Sequence, residues 1–133
     1  MMIVVDSSVI INLLRGKNTT GVLKFKEIET QDISFMIPAL CIQEILQGAK
    51  DLKEWNVLKG YLSTQEVLFP EMTLDTYTKA AELFFNLRRK GLTIRSTVDC
   101  LIAQQVIEIK NGKLLHDDRD FQVLEEHTSL QCL

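Results

Sequence analysis

Short apolar runs alternate with amphipathic stretches along this chain, and few residues remain for linkers. A helical stretch separates each apolar run from the next, as the crossover connections between parallel strands require. This alternation predicts an α/β fold with a mostly parallel sheet. The runs expected to form strands are residues 2–5, 34–37, 67–69 and 113–115, with a last edge strand at 129–133.

The expected helices have recognisable ends. Pro38 fits the first position of the third helix, where no N–H is needed, and Gly16 and Gly48 fit as helix stops. Thr73 is expected to cap the long fifth helix, which ends in a basic cluster suited to the helix dipole. The predicted helices span about 7–15, 20–29, 38–47, 51–62, 73–90, 97–110 and 121–126.

Length and composition describe an ordinary globular protein. With 133 residues, of which 46% are hydrophobic and 25% charged, the chain is expected to form a single domain over 1–133. The net charge of −3 provides no general attraction to nucleic acid, so any RNA must be held by local basic groups or bound cations.

Three cysteines, Cys41, Cys100 and Cys132, lie in apolar stretches and form no C-x-x-C pair, which indicates reduced side chains in a cytoplasmic protein. No segment has the roughly 18 uncharged apolar residues of a membrane helix. The N-terminus also lacks the basic region and cleavage site of a signal peptide. We therefore expect an intracellular protein with no membrane partner.

Four acids lie far apart in the sequence, each at the edge of an apolar segment: Asp6, Glu44, Asp99 and Asp118. Asp6 directly follows the first strand, at the carboxyl end where ligands bind in open α/β sheets. If the four carboxylates converge there, each raises the pKa of the others unless a cation is present. Oxygen ligands favour Mg²⁺ or Mn²⁺ over zinc.

Each acid also has a structural explanation. Ser96 and Asp99 match a capping box, and Asp6, Asp118 or Asp120 can cap the helix that follows it. Glu44 taken alone is typical of a solvated helical acid. The joint pattern favours function, because two of the acids follow parallel strands and the other two lie near the first turns of helices.

These residues carry a resemblance to a known family. The chain resembles PIN-domain ribonucleases, and VapC-type toxins of prokaryotic toxin–antitoxin pairs in particular, over about residues 2–124. The motifs that carry it are Asp6-Ser7-Ser8, Glu44 in the third helix, Asp99-Cys100-Leu101-Ile102-Ala103, and Leu114 to Phe121.

The resemblance implies a three-layer α/β/α domain with a sheet of about five strands. It also implies Mg²⁺- or Mn²⁺-dependent endoribonuclease activity, a homodimer, and a cognate antitoxin that blocks the site. The expected chemistry is attack of a metal-activated water on an RNA phosphodiester.

Carried over residue by residue, the resemblance assigns the catalytic and metal-binding positions to Asp6, Glu44, Asp99 and Asp118. Asp120 is a further candidate, which either orients a ligand or holds a second metal. His116 stands where the family usually has Ser or Thr, so it is either a phosphate contact, a metal ligand or a packed side chain. Arg95 and Ser8 are the other candidates for contact with substrate.

Competing functions fit less well. A haloacid-dehalogenase-type phosphotransferase needs a second aspartate at the position of Ser8, and a response-regulator receiver needs one after the third strand, where Leu68, Phe69 and Pro70 stand. The remaining alternative is a non-catalytic PIN-like module that binds RNA or a protein partner.

Overall fold

A computed structural model describes residues 1–133 and contains one four-stranded sheet. Its strands are all parallel and lie in the order β3-β2-β1-β4, so the first strand is central. The strands are β1 (Met2–Val5), β2 (Phe35–Pro38), β3 (Val67–Leu68) and β4 (Gly112–Leu115). The predicted α/β fold class is confirmed.

Seven helices connect and follow these strands: α1 (Ser7–Leu14), α2 (Thr20–Thr30), α3 (Ala39–Gln47), α4 (Leu52–Ser63), α5 (Leu74–Arg89), α6 (Thr97–Ile107) and α7 (Arg119–His127). Five of them begin at a side chain that accepts a backbone N–H of the first turn, as the sequence pattern requires. These N-caps are Asp6, Thr19, Asp51, Thr73 and Asp118.

The sheet order creates a switch point beside β1. From β1 the chain moves outward to β2 and β3, and it then returns across the sheet to pair β4 with the other side of β1. Right-handed crossovers in opposite directions place helices on opposite faces, which gives α/β/α layers. In open α/β sheets, ligands bind at the carboxyl ends of strands at such a point.

β1 and β4 are held in close register at this edge. Val5 pairs with Leu115, and the backbone N–H of Asp6 donates to the carbonyl of Leu115 at 2.9 Å. Val4, Val5 and Leu114 are fully buried or nearly so, in a core of 25 hydrophobic residues. The core therefore fixes where the residues that follow β1 and β4 lie.

Two strand predictions were wrong. The expected sheet of about five strands has four, because residues 129–133 contribute only an isolated bridge between Leu114 and Cys132. Leu114 bonds there through both its N–H and its carbonyl, but no second residue comes into register. β3 ends at Leu68, and the Phe69 side chain is 78% exposed.

Some helix boundaries also differ from the prediction. Pro38 is the last residue of β2 and the N-cap of α3, with an extended ψ of 141°, so Ala39 and not Pro38 opens the helix. α6 ends at Ile107, before the expected Lys110, and Asn111 turns the chain into β4 with a φ of 59°. None of the helices has both the length and the apolar character needed to cross a membrane.

Candidate active site

Asp6 lies at the carboxyl end of β1 and is 3% exposed. One carboxylate oxygen, Oδ2, accepts the backbone N–H of Ser8 at 3.0 Å and the Ser8 hydroxyl at 2.6 Å. The other, Oδ1, accepts the thiol of Cys41 at 3.5 Å. Asp6 therefore caps α1, as one interpretation of the sequence predicted, and its carboxylate also lies at the sheet edge, where the functional interpretation requires it.

Glu44 joins Asp6 from the second turn of α3. The hydroxyl of Ser7 donates to Glu44 Oε1 at 3.2 Å, which turns this carboxylate towards the end of β1. Ligand atoms of Asp6, Cys41 and Glu44 lie within 4.8 Å of one another. We call these three residues the β1 group.

A second set of acids comes from the end of β4 and the start of α6. Ligand atoms of Asp99, Asp118 and Asp120 also lie within 4.8 Å of one another, and we call these residues the α6 group. Asp118 Oδ1 accepts the backbone N–H of Asp120 at 2.9 Å and therefore caps α7.

Asp99 does not play the capping role that its sequence context allows. Ser96 is the N-cap of α6, but its side chain makes no capping hydrogen bond, so the predicted capping box is absent. Asp99 is only 7% exposed, and its carboxylate accepts no hydrogen bond from the protein. A buried carboxylate without a donor needs another source of stabilisation.

The pKa values of three of the four predicted acids are raised. Burial raises the pKa of Asp6, and burial followed by the charge of Asp6 raises that of Glu44. The pKa of Asp99 rises to about 7, first through burial and then through the charges of Asp6, Asp118, Glu44 and Asp120. The fold thus brings the predicted acids within electrostatic reach of one another, as the sequence pattern indicated.

This donor set fits a hard divalent cation. Asp99 lacks a hydrogen-bond donor, and the neighbouring ligand atoms are mostly carboxylate oxygens, which Mg²⁺ and Mn²⁺ prefer. Burial, followed by the charge of Asp6, holds the pKa of the Cys41 thiol well above its usual range. Cys41 is therefore a neutral donor to Asp6 and not a thiolate ligand.

Comparison with known proteins identifies the family. The PIN domain matches residues 3–126, which is most of the chain. The chain belongs to the PIN-domain family. The resemblance that the acidic motifs indicated is therefore confirmed.

Curated relatives agree with the PIN assignment. The VapC ribonuclease Mb1587 of Mycobacterium bovis is 29% identical over 135 residues, covering 98% of this chain and 97% of the relative. Ribonuclease VapC11 of Mycobacterium tuberculosis gives the same identity and coverage.

Solved structures share the PIN fold. VapBC2 from Rickettsia felis, bound to a DNA fragment from its promoter, matches with a TM-score of 0.74 at 19% identity, over 100% of this chain and 98% of that one. VapBC-1 from nontypeable Haemophilus influenzae has a TM-score of 0.73 at 18% identity, over 100% and 97%.

The predicted substrate contacts lie around the acids of this PIN domain. The side chain of Arg95 is 75% exposed and pairs with Asp118 and Asp120. The Ser8 hydroxyl donates to Asp6 and accepts the backbone N–H of Asp117 at 3.0 Å, so both its bonds are internal.

His116 supports the loop that carries Asp118. Its Nδ1 accepts the backbone N–H of Asp118 at 3.1 Å, and its ring packs against Phe121 with 5.4 Å between centroids. Burial lowers the pKa of His116, so the ring is neutral at pH 7. Only Nε2 remains to contact a substrate.

Sequence reasoning missed Asp117, which holds the loop between β4 and α7 in place. Its carboxylate accepts Asn12 Nδ2 at 3.1 Å, the backbone N–H of Gly21 at 2.9 Å and the hydroxyl of Thr19. These partners are 105, 96 and 98 residues away, so no local pattern distinguishes Asp117 from Asp118. The contacts of Ser7 with Glu44 and of Cys41 with Asp6 were not predicted for the same reason, since each joins residues more than 30 positions apart.

Proposed function

We propose that this protein is a metal-dependent endoribonuclease that hydrolyses RNA phosphodiester bonds and acts as the toxin of a toxin–antitoxin pair. The observation that carries the proposal is Asp99, a buried carboxylate without a hydrogen-bond donor, surrounded by four other acids at the carboxyl edge of a parallel sheet. The ribonuclease names of the relatives over nearly the full chain support the same activity.

The proposed cofactor is Mg²⁺, with Mn²⁺ as an alternative. Asp6, Glu44, Asp99 and Asp118 would hold it, and Asp120 would orient this set. A bound ion supplies a water of lowered pKa and positive charge for the phosphate oxygens. The protein's own part is to keep the carboxylates apart and oriented, through Ser7, Ser8 and Cys41.

We propose that Arg95, Ser8 and His116 contribute to RNA binding. Arg95 carries the positive charge at this edge, and its exposed guanidinium is accessible to a phosphate in a protein whose net charge is −3. His116 offers Nε2 as a neutral hydrogen-bonding group. Ser8 contributes by fixing Asp6, because both its hydrogen bonds are already made within the protein.

The proposed partners are a cognate antitoxin and a second copy of the chain. The structural likeness to VapBC2 and VapBC-1 supports an antitoxin. Exposed apolar side chains on α5 support a homodimer, with Leu74 83%, Tyr77 52% and Phe85 59% exposed. We further propose that residues 1–133 act as one PIN domain in the cytoplasm, where its RNA substrate is found.

RNA cleavage with and without chelator tests the activity. Wild type is expected to cleave single-stranded RNA with Mg²⁺ or Mn²⁺ and to stop on addition of EDTA, and Asp6→Asn and Asp99→Asn should be inactive. Asp75→Asn is the matched control, since Asp75 is an exposed acid that pairs with Lys79 on α5. Equal, chelator-insensitive cleavage by wild type and both site variants would contradict the metal proposal.

Growth and binding assays separate the toxin from the alternative function. Expression of wild type, but not of Asp99→Asn, is expected to arrest growth, and co-expression of the neighbouring reading frame should relieve the arrest. If no RNA is cleaved by any form while the protein binds RNA or a partner tightly, the non-catalytic PIN-like module is the correct interpretation.

A further inference from the structure

Arg95, in the loop between α5 and α6, lies against the α6 group. Its backbone N–H donates to Asp120 Oδ2 at 3.1 Å, and its Nε contacts the same oxygen at 3.4 Å. Its Nη2 is 3.6 Å from Asp118 Oδ1. Asp120 is only 6% exposed, so Arg95 provides the compensating charge for a buried carboxylate.

The β1 group has no such cation. Asp6 and Glu44 accept hydrogen bonds only from the neutral groups of Ser7, Ser8 and Cys41. Asp99, a member of the α6 group whose pKa is also raised by the charges of Asp6 and Glu44, has neither a donor nor an ion pair, since the ion pairs of the protein involve other acids. Positive charge is therefore present on one side of the site and lacking on the other.

We propose that Arg95 is a built-in counter-ion for Asp118 and Asp120, so that this protein binds one divalent cation at its cluster of carboxylates, and not two. The proposal rests on the metal-dependent function proposed above. A second ion among Asp99, Asp118 and Asp120 would have to displace the guanidinium or lie within a few ångströms of it, and like charges at that distance repel.

Arginine suits this role because its guanidinium stays protonated at any physiological pH and its fork can contact two carboxylates at once. In two-metal nucleases the second ion compensates the charge that develops on the phosphate. Arg95 places a permanent charge on that side of the site. Arg95 is a positioning residue, because it limits the number of bound cations indirectly, through its contacts with Asp118 and Asp120.

The number of bound Mn²⁺ ions per chain tests the proposal, measured by equilibrium dialysis and titration calorimetry on the full chain without RNA. Wild type should bind one ion. Arg95→Gln should bind a second, and Arg95→Lys, which keeps the charge, should bind one. Arg88→Gln is the matched control, since Arg88 is an exposed cation at the end of α5 with no partner among the acids, and it should also bind one.

A double variant locates the second ion. If Arg95→Gln opens a site at the α6 group, adding Asp120→Asn should remove that site and return the count to one. Because Arg95→Gln leaves the buried Asp120 without its ion pair, circular dichroism must first show that the variant is folded. The number of ions bound by wild type provides a test that does not depend on this variant.

Two ions bound to wild type would overturn the proposal, and the metal-dependent function would still stand. A folded Arg95→Gln protein that binds one ion would also overturn it. Binding of no Mn²⁺ by wild type would overturn this proposal and the proposed function together. The proposal is supported if the number of bound Mn²⁺ ions rises from one to two only in the variant that loses the charge at position 95.

Discussion

At the scale of single residues, Asp99 is the acid of the site that has no hydrogen-bond donor or ion pair within the protein. It is buried, accepts no hydrogen bond and has a pKa raised to about 7 by burial and by its acidic neighbours. In the folded, metal-free protein it therefore holds its proton to higher pH than in the unfolded chain, whose carboxyl has the ordinary value of 3.8. Between about pH 4 and pH 7 the folded state binds more protons.

It follows that the metal-free protein should lose stability as the pH rises through this window. The contribution of Asp99 is fully present below about pH 4 and is lost as the pH passes about 7. Thermal unfolding in EDTA from pH 4.5 to 7.5 should show this decline for wild type and a flatter profile for Asp99→Asn. At pH 7.5 the variant should be more stable by about 1–2 kcal/mol. Parallel profiles would contradict the assigned pKa.

The residues predicted from sequence were those with a recognisable local context. Asp6 follows an apolar strand and Asp118 follows another, and both contexts can be read within a few residues. The contacts of Arg95 with Asp118 and Asp120 could not be predicted, because they join segments about 25 residues apart through loop geometry. The thiol of Cys41 near Asp6 likewise depends on how α3 packs beside β1.

At the scale of elements, Asp118 serves α7 and the site at the same time. Its Oδ1 caps the helix by accepting the N–H of Asp120, and an asparagine at this position keeps such an oxygen. Its charge belongs to the α6 group. Two substitutions can therefore separate the structural role from the electrostatic one.

Asp118→Asn and Asp118→Ala should both lose ribonuclease activity, because both remove the charge. Asp118→Asn should be the more stable of the two by about 1 kcal/mol, which is the usual effect of an N-cap side chain. Urea unfolding in EDTA measures the difference. Equal stability of the two variants would show that the cap contributes nothing to α7.

The N-terminus of α2 is tied to the loop between β4 and α7 by Asp117. A Cβ on Gly21 would lie 2.6 Å from Asp117 Cγ, whereas one on Gly60, within α4, would meet nothing within 4 Å. The carboxylate has little freedom to move away, because Asn12, Thr19 and the N–H of Gly21 all donate to it.

Gly21→Ala should therefore destabilise the protein by about 1–3 kcal/mol, as expected for overpacking. Gly60→Ala is the matched control and should be neutral or stabilising by up to about 1 kcal/mol, since alanine favours a helix interior. Chemical denaturation of both variants provides the measurement. A neutral Gly21→Ala would mean that Asp117 can leave its position without cost.

The periodicity of apolar residues and the capping residues predicted which segments are helices and which are strands. They did not predict every residue at which these elements begin and end. Pro38 has a fixed φ that fits both a strand end and a helix start, so its local preference could not decide between them. Residues 129–133 have the composition of an edge strand, but only Cys132 meets Leu114. Such register depends on the packing of α7 and not on the five residues themselves.

At the scale of the whole molecule, the sheet collects acids from four separate regions of the chain at one edge. Their mutual repulsion is a cost of folding that a bound cation relieves, so ligand binding to the folded state should stabilise the entire domain. Mg²⁺ at 100 times its Kd should raise the free energy of unfolding of wild type by about 2.7 kcal/mol.

The same Mg²⁺ titration should have little effect on Asp99→Asn, measured by thermal unfolding at constant ionic strength. NaCl at the same ionic strength, without Mg²⁺, is the control for general screening of charge. If salt alone stabilises wild type as much as Mg²⁺ does, the stabilisation arises from screening and not from a specific site.

The pairing of β1 with β4 has a consequence for synthesis of the protein. Asp6 is synthesised about 100 residues before the strand that pairs beside β1, Gly112–Leu115, and before the acids that follow that strand. A nascent or prematurely terminated chain that stops before β4 therefore lacks an entire side of the site. We expect such a chain to be inactive as a nuclease, so activity should appear only after β4 and the acids that follow it have been synthesised.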